Sequence, residues 1–314
     1  MADAALNPAP EWVRAPERGN NFWLRVMIGI TRALGWHAGH VLLFPITAYF
    51  LASSPRQRCS ARQYLGRALG RPARFADVWT LYFTFAATIL DRVWLASGRT
   101  RDFAITVHGL DSLRARVEAS PEGRPGCLLF GAHLGSFEAL RAVADAGCPV
   151  EVSVLMHEAN AARVKAVFDA LGGAGRAAAI IPLGAPDSML RVREVLERGG
   201  LVGLLADRAP PGNPAGQRMH RAAFLGHPAP LPTGPHVLAA VLGVPVMLAF
   251  GIRTGRRRYE VHFRDFAEQV APGGRAGRDA AVAASVEAYA RALEAMCRAH
   301  PYNWFNFFPF WQDA

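Results

Sequence analysis

The chain is poor in cysteine, almost without lysine and short of acid. Cys59, Cys127, Cys148 and Cys297 are the four cysteines in 314 residues, too few for a disulfide scaffold. They form neither a C-x-x-C pair nor a Cys/His cluster at zinc spacing, so no metal is expected, and they read as inert thiols of a reducing compartment. Lys165 is the only lysine, beside 34 arginines. Basic residues outnumber acidic ones 35 to 25, a net charge of +10. That balance favours an anionic partner: nucleic acid, anionic lipid or a phosphorylated substrate. There is no recognisable basic helix or aromatic–basic motif, so a nucleic-acid binder is not expected. MADAALNPAP has no basic stretch followed by an apolar one, so no secretory signal is expected either. With 51% hydrophobic and 19% charged residues, the chain is too apolar to be disordered.

A clean membrane-spanning run is also missing. The longest apolar stretch, 22–52, is interrupted by Arg25, Arg32, His37 and His40, and its uninterrupted part, Val41 to Ala52, contains Pro45. A bilayer core needs ~20 predominantly apolar residues. Three readings stay open: an amphipathic or re-entrant membrane-associated helix, a poor transmembrane helix, or a buried soluble helix. Trp12, Trp23 and Trp36 suit the headgroup level. A second apolar helix is predicted over 76–97, where Val78, Leu81, Phe85, Ile89 and Val93 recur at helical spacing after Asp77 as a cap. Between them 53–60, SSPRQRCS, reads as a polar, basic linker.

From about residue 100, short apolar runs alternate with helical stretches. Strands are predicted at Ala104–His108, Cys127–Ala132, Val150–Leu155, Ala178–Pro182, Leu201–Ala206, Val246–Gly251 and Tyr259–Phe263. Helices are predicted at 136–146, 160–171, 187–198, 233–242 and 279–299. The fold class is α/β: a mostly parallel central sheet flanked by helices, with a helical membrane-associating region ahead of it. The expected division is 1–99 for that region and 100–314 for the α/β domain.

One strand end carries chemistry. Cys127-Leu-Leu-Phe-Gly-Ala-His133 delivers a histidine at the carboxyl end of an apolar strand, where sites of such sheets lie. Leu134-Gly135 turns the chain, Ser136 caps a helix, and Glu138 falls in its first turn. The turn allows His133 and Glu138 to meet. Acyl transfer to a hydroxyl or amine needs such a pair: imidazole takes the acceptor proton, and the carboxylate holds the other ring N–H. Backbone N–H groups at the helix start suit an oxyanion. A chain with this many histidines and acids holds about one such pair by chance, so the strand-end turn carries the weight.

GAHLGSFEAL resembles the H-x-x-x-x-(D/E) motif of the lysophospholipid acyltransferase superfamily, in particular the bacterial lipid A biosynthesis acyltransferases. LERGGLVGLLADR is similar to that branch's strand ending in an acidic–polar pair. AAFLGHPAPLPTGPHVLAAVLGVPVMLAF resembles its segment leading through a helix into a Pro-Val strand. LYFTFAATILDRVWLASG resembles the helix before its catalytic domain. The likeness runs from about residue 20 to the aromatic end. It implies an acyltransferase on the cytoplasmic face of a bacterial inner membrane. The donor is an acyl-carrier-protein or acyl-CoA thioester, a co-substrate with no resident cofactor. The acceptor is a hydroxyl or amine of a membrane lipid or glycolipid, lipid A-like or lysophospholipid-like, and His133 and Glu138 are the catalytic pair. Three departures bear on the acceptor: Asp207-Arg208 stands where glutamine is common second, an EWVRAPERGNNFWLR segment lies near the start, and YNWFNFFPFW lies near the end. An aminolipid or a polyketide-like pigment is the alternative acceptor. A catalytically silent lipid-binding scaffold is the alternative without chemistry.

Gly135, Ser136, Asp207, Arg208, Phe224, Leu225 and Gly226 are the expected substrate-binding residues. Arg208 suits a phosphate or carboxylate, against an ordinary ion pair. Phe224-Leu225-Gly226 reads equally as a site floor or a turn. Thr233-Gly234 reads as a helix cap, Arg163 and Lys165 as a solvated helix face, and Arg256-Arg257-Arg258 as a hairpin turn. His108, His157, His220, His227 and His262 lack an acid at the spacing of the first pair and read as structural. Seven aromatics between Tyr302 and Trp311 line an interface or acyl channel, or pack back on the domain.

Overall fold

The computed structural model describes residues 21–118, 126–147, 151–157, 179–209, 218–271 and 276–311; side chains are described in most but not all of these. The predicted helix 160–171, Arg163, Lys165 and Cys148 lie outside them. Helices α1 (Asn21–Ser53), α2 (Pro55–Leu69) and α3 (Phe75–Ala96) come first. Then follow β1 (Ala104–His108), α4 (Leu110–Glu118), β2 (Cys127–Gly131), α5 (Phe137–Gly147), β3 (Val152–His157) and β4 (Ala179–Leu183). The remainder is α6 (Ser188–Glu197), β5 (Leu201–Leu205), β6 (Met219–Phe224), β7 (His227–Pro232), α7 (Gly234–Leu242), β8 (Val246–Gly255), β9 (Arg258–Ala267) and α8 (Arg278–Ala299).

The fold is α/β. Seven strands form one sheet in the order β1-β9-β8-β2-β5-β3-β4, and every pairing is parallel except β8 with β9. The central strands β2 and β5, CLLFG and LVGLL, are apolar along their length, as strands covered on both faces must be. Their register pairs Cys127 with Leu201 and Gly131 with Leu205. Strands β6 and β7 form a separate antiparallel hairpin.

Residues 53–60 are not the linker expected, because most of them are helical. Pro55 opens α2, and Ser60, Ala61, Tyr64, Leu65 and Ala68 form a buried stripe at helical spacing. Helix α1 is 33 residues long but breaks at Gly35 (φ 80°) and carries Pro45. No helix among the described residues is long and apolar enough to cross a membrane. Beyond Gly35, Trp36, His40, Leu43, Thr47 and Leu51 face inward, while Val41, Phe44, Tyr49 and Phe50 stay exposed.

Residues of α1–α3 share both buried apolar clusters with the sheet and its helices. Asp91 of α3 anchors one junction. Its fully buried carboxylate accepts from Trp36 Nε1 at 2.7 Å, Tyr259 Oη at 2.9 Å and Arg253 Nε at 3.1 Å. Those donors come from α1, β9 and β8, and they replace the water the charge has lost.

Candidate active site

His133 lies two residues beyond β2, and Asp207 two residues beyond β5. The parallel register carried forward sets them side by side, because Gly131 is opposite Leu205. His133 Nδ1 stands 2.9 Å from Asp207 Oδ1. The other carboxylate oxygen accepts the His133 backbone N–H at 3.1 Å and Trp304 Nε1 at 2.9 Å, with Arg208 Nε at 3.4 Å. Asp207 is fully buried, while the His133 side chain is 40% exposed. Burial works to raise the Asp207 carboxyl, but the charges of His133 and Arg208 and the hydrogen bonds of His133 and Trp304 outweigh it. They hold the carboxyl well below the usual carboxylate range. An ionised carboxylate only accepts, so Nδ1 carries a proton and Nε2 is the ring nitrogen left for chemistry.

Gly135 shapes the turn that presents His133. Its φ is +72°, and a Cβ there would stand 1.9 Å from Gly251 O. The close approach lets Ser136 N donate to Gly251 O at 2.6 Å, while Gly135 N donates to Asn303 O at 2.9 Å. Phe305 N donates to His133 O at 3.0 Å, and Leu134 bridges to Trp304. The aromatic tail therefore packs back over the turn instead of standing free. Tyr289 Oη holds the end of β2 from below, at 2.7 Å from Gly131 O.

Glu138 does not occupy the place expected for it. Its Oε1 pairs with Arg92 of α3 at 2.8 Å, and its Oε2 lies 3.4 Å from Ser136 Oγ. The buried first turn of α5 faces α3, which supplies a cation, whereas β5 supplies the carboxylate beside the ring. Gly135 and Ser136 give the turn its shape, and their N–H groups are committed to Asn303 and Gly251, not open to an oxyanion. Arg208 spends Nη2 on Phe305 O at 2.8 Å and lies over the Phe308 ring at 4.7 Å. It clamps the tail to Asp207.

Phe224, Leu225 and Gly226 sit in the β6–β7 hairpin. Phe224 pairs with His227, and Leu225 and Gly226 take φ values of 50° and 79°, as a two-residue primed turn requires. Phe224 is buried against Trp304, Phe310 and Trp311, so it supports the indole that donates to Asp207. Thr233 precedes α7 without a side-chain capping bond. Arg256 and Arg257 form the β8–β9 turn, Arg257 over the Trp36 ring at 4.5 Å.

An apolar hollow of about 40 Å³ runs beside this strand end, walled by Leu129, Gly131, Ala132, Leu134, Phe137 and Leu205. Two buried thiols, Cys127 and Cys297, are poor nucleophiles: burial pushes Cys127 up to about 12 and raises Cys297 as well. Among the described residues, three possible metal ligands converge only at His108, Glu260 and His262, and His133 is not among them. Asp207 as the partner of His133 was not legible in one sequence, since the signal is a strand register. The end of each strand, GAH and LLADR, was legible. No protein-family model matches the chain, and a search of curated proteins finds no relative.

Proposed function

We propose that the protein is an acyltransferase that moves a fatty acyl group from an acyl-carrier-protein or acyl-CoA thioester to a hydroxyl or amine of a membrane lipid or glycolipid. The observation that carries this reading is the His133–Asp207 pair: a half-exposed imidazole whose Nδ1 is bound to a buried carboxylate. Among the described residues no serine, threonine or cysteine is hydrogen-bonded to His133, so the geometry suits a base for an external nucleophile better than a triad.

His133 Nε2 takes the proton of the acceptor hydroxyl or amine as its oxygen or nitrogen attacks the thioester carbonyl. Asp207 stabilises the imidazolium that forms. Collapse of the tetrahedral adduct breaks the C–S bond, and the proton passes from Nε2 to the departing thiolate. Asp207 thus orients the base, and Glu138 with Arg92 fixes α5 against α3. The exposed apolar side of α1 suits a lipid substrate. The resemblance of GAHLGSFEAL to the lysophospholipid acyltransferase motif supports the same reaction.

Whole lipid extracts from a deletion strain test the proposal. Complementation with the wild-type gene is expected to restore a species one acyl mass heavier than its precursor, and His133→Ala is expected not to. The same profile with both genes would refute His133 as the base.

A further inference from the structure

The edge of the sheet holds a second cluster, remote from Asp207. His108 ends β1, and the parallel register sets it beside His262 of β9, with Glu260 opposite Thr106. Glu260 and His262 alternate along one strand and so share a face. The two imidazoles stack with centroids 4.6 Å apart and planes 16° apart. Both bring Nε2 to the same carboxylate oxygen: His108 at 3.7 Å and His262 at 3.4 Å from Glu260 Oε2. A ligand atom from each of the three residues lies within 4.8 Å of those from the others. His262 Nε2 is shut from solvent, and its one polar contact is the 3.4 Å approach to Glu260. A ring nitrogen shut from water with a single long contact is poorly satisfied, and an ion would fill its lone pair.

We propose that His108, Glu260 and His262 bind a borderline divalent transition-metal cation, of which zinc is the representative. Two imidazoles and one carboxylate are the donor set such ions favour over magnesium or calcium, which take oxygen. Tetrahedral zinc with bonds of ~2.0–2.1 Å holds its ligand atoms ~3.3–3.5 Å apart, close to the 3.7 and 3.4 Å that separate Glu260 Oε2 from the two ring nitrogens. The stacked rings must tilt towards each other for both lone pairs to meet one ion. His108, Glu260 and His262 side chains are 50%, 34% and 25% exposed, which gives an ion a path in and leaves one coordination position to water. The ion would tie the edge strand β1 to β9. His300, whose ring lies 6.0 Å from His262, belongs to the turn that leads into Trp304, so the tie adjoins the segment covering His133.

The test uses the untagged full chain, stripped with chelator and titrated calorimetrically with zinc chloride. Wild type is expected to bind one equivalent with a rise in melting temperature. Cobalt(II) is expected to give the visible absorption of a tetrahedral site. His108→Ala, which changes a half-exposed side chain, and Glu260→Gln are each expected to weaken zinc binding at least tenfold and to abolish the thermal shift, with metal-free melting unchanged. His220→Ala, altering a histidine beside Glu287, is expected to bind as wild type does. No saturable equivalent in wild type, or equal binding by a His108→Ala/Glu260→Gln double variant, would overturn the proposal.

Discussion

At the scale of single residues, two buried carboxylates, Asp207 and Glu138, part company by the groups they hold. Asp207 is fully buried, accepts three hydrogen bonds from His133 and Trp304 and lies beside the Arg208 cation, so it stays ionised and holds a proton on His133 Nδ1. Glu138 has Arg92. Glu138→Gln should therefore cost about tenfold in turnover, through the placement of α5, and a loss as great as that of His133→Ala would contradict this division. His236 gives a second, independent expectation. Burial pushes its imidazole down to about 4, with its ring against Phe130 and Tyr289. The unfolded chain takes up that proton near the ordinary value of ~6.5, so between pH 4 and 6.5 it binds more protons than the fold does. Stability should rise by about 3 kcal/mol across that window and be fully present above it. Denaturant titrations against pH check this, and His236→Phe should flatten the slope; an unchanged slope would remove His236 as its source. His133 was legible from its strand end. Asp207 was visible as a strand-end acid but not as the partner of the ring, because an offset between β2 and β5 leaves no mark in local sequence.

At the scale of elements, the turn between β2 and α5 is the device that presents His133. Glycines at 135 and 251 let it reach β8 closely enough for Ser136 N to donate to Gly251 O. Gly135→Ala places a Cβ against that oxygen in a backbone conformation that favours glycine, and should destabilise the fold by about 2–3 kcal/mol or more. Chemical denaturation checks it, and a loss below about 0.5 kcal/mol, the range of ordinary surface changes, would show that the approach is less tight. The strands of the sheet were largely readable because buried parallel strands are short apolar runs bounded by turn residues. Helix α2 was not: its buried stripe of Ser60, Ala61, Tyr64, Leu65 and Ala68 is mostly small or polar and lies among arginines. The β6–β7 hairpin was hidden because β7, HPAPLP, holds three prolines, which argue against a strand except at an edge.

At the scale of the whole molecule, the N-terminal helices are built into the α/β core and also present apolar surface outward. Phe44 is 50% and Tyr49 67% exposed on α1, while Leu43 and Thr47 on its other face are buried. Together with the net charge of +10, that surface is what the proposed membrane-lipid substrate calls for. Phe44→Ser with Tyr49→Ser should lower binding to anionic phospholipid vesicles at least tenfold and leave the melting temperature within a degree or two, because neither side chain is in the core. Unchanged vesicle binding would assign this face another role. Asp91 makes the opposite case. Replacing it with alanine strands Arg253 without its buried partner, and about 3–5 kcal/mol of stability should go with it.

The most direct test of the central claim is the turnover of Asp207→Asn beside that of wild type, measured on the acceptor that lipid mass spectrometry identifies. The carboxamide keeps the size of the side chain but removes the charge that fixes the Nδ1–H tautomer and stabilises the imidazolium. Turnover should fall by about 10³–10⁴-fold with KM little changed. An Asp207→Asn enzyme within tenfold of wild type, with Glu138→Gln inactive, would return the orienting role to Glu138 and contradict the account.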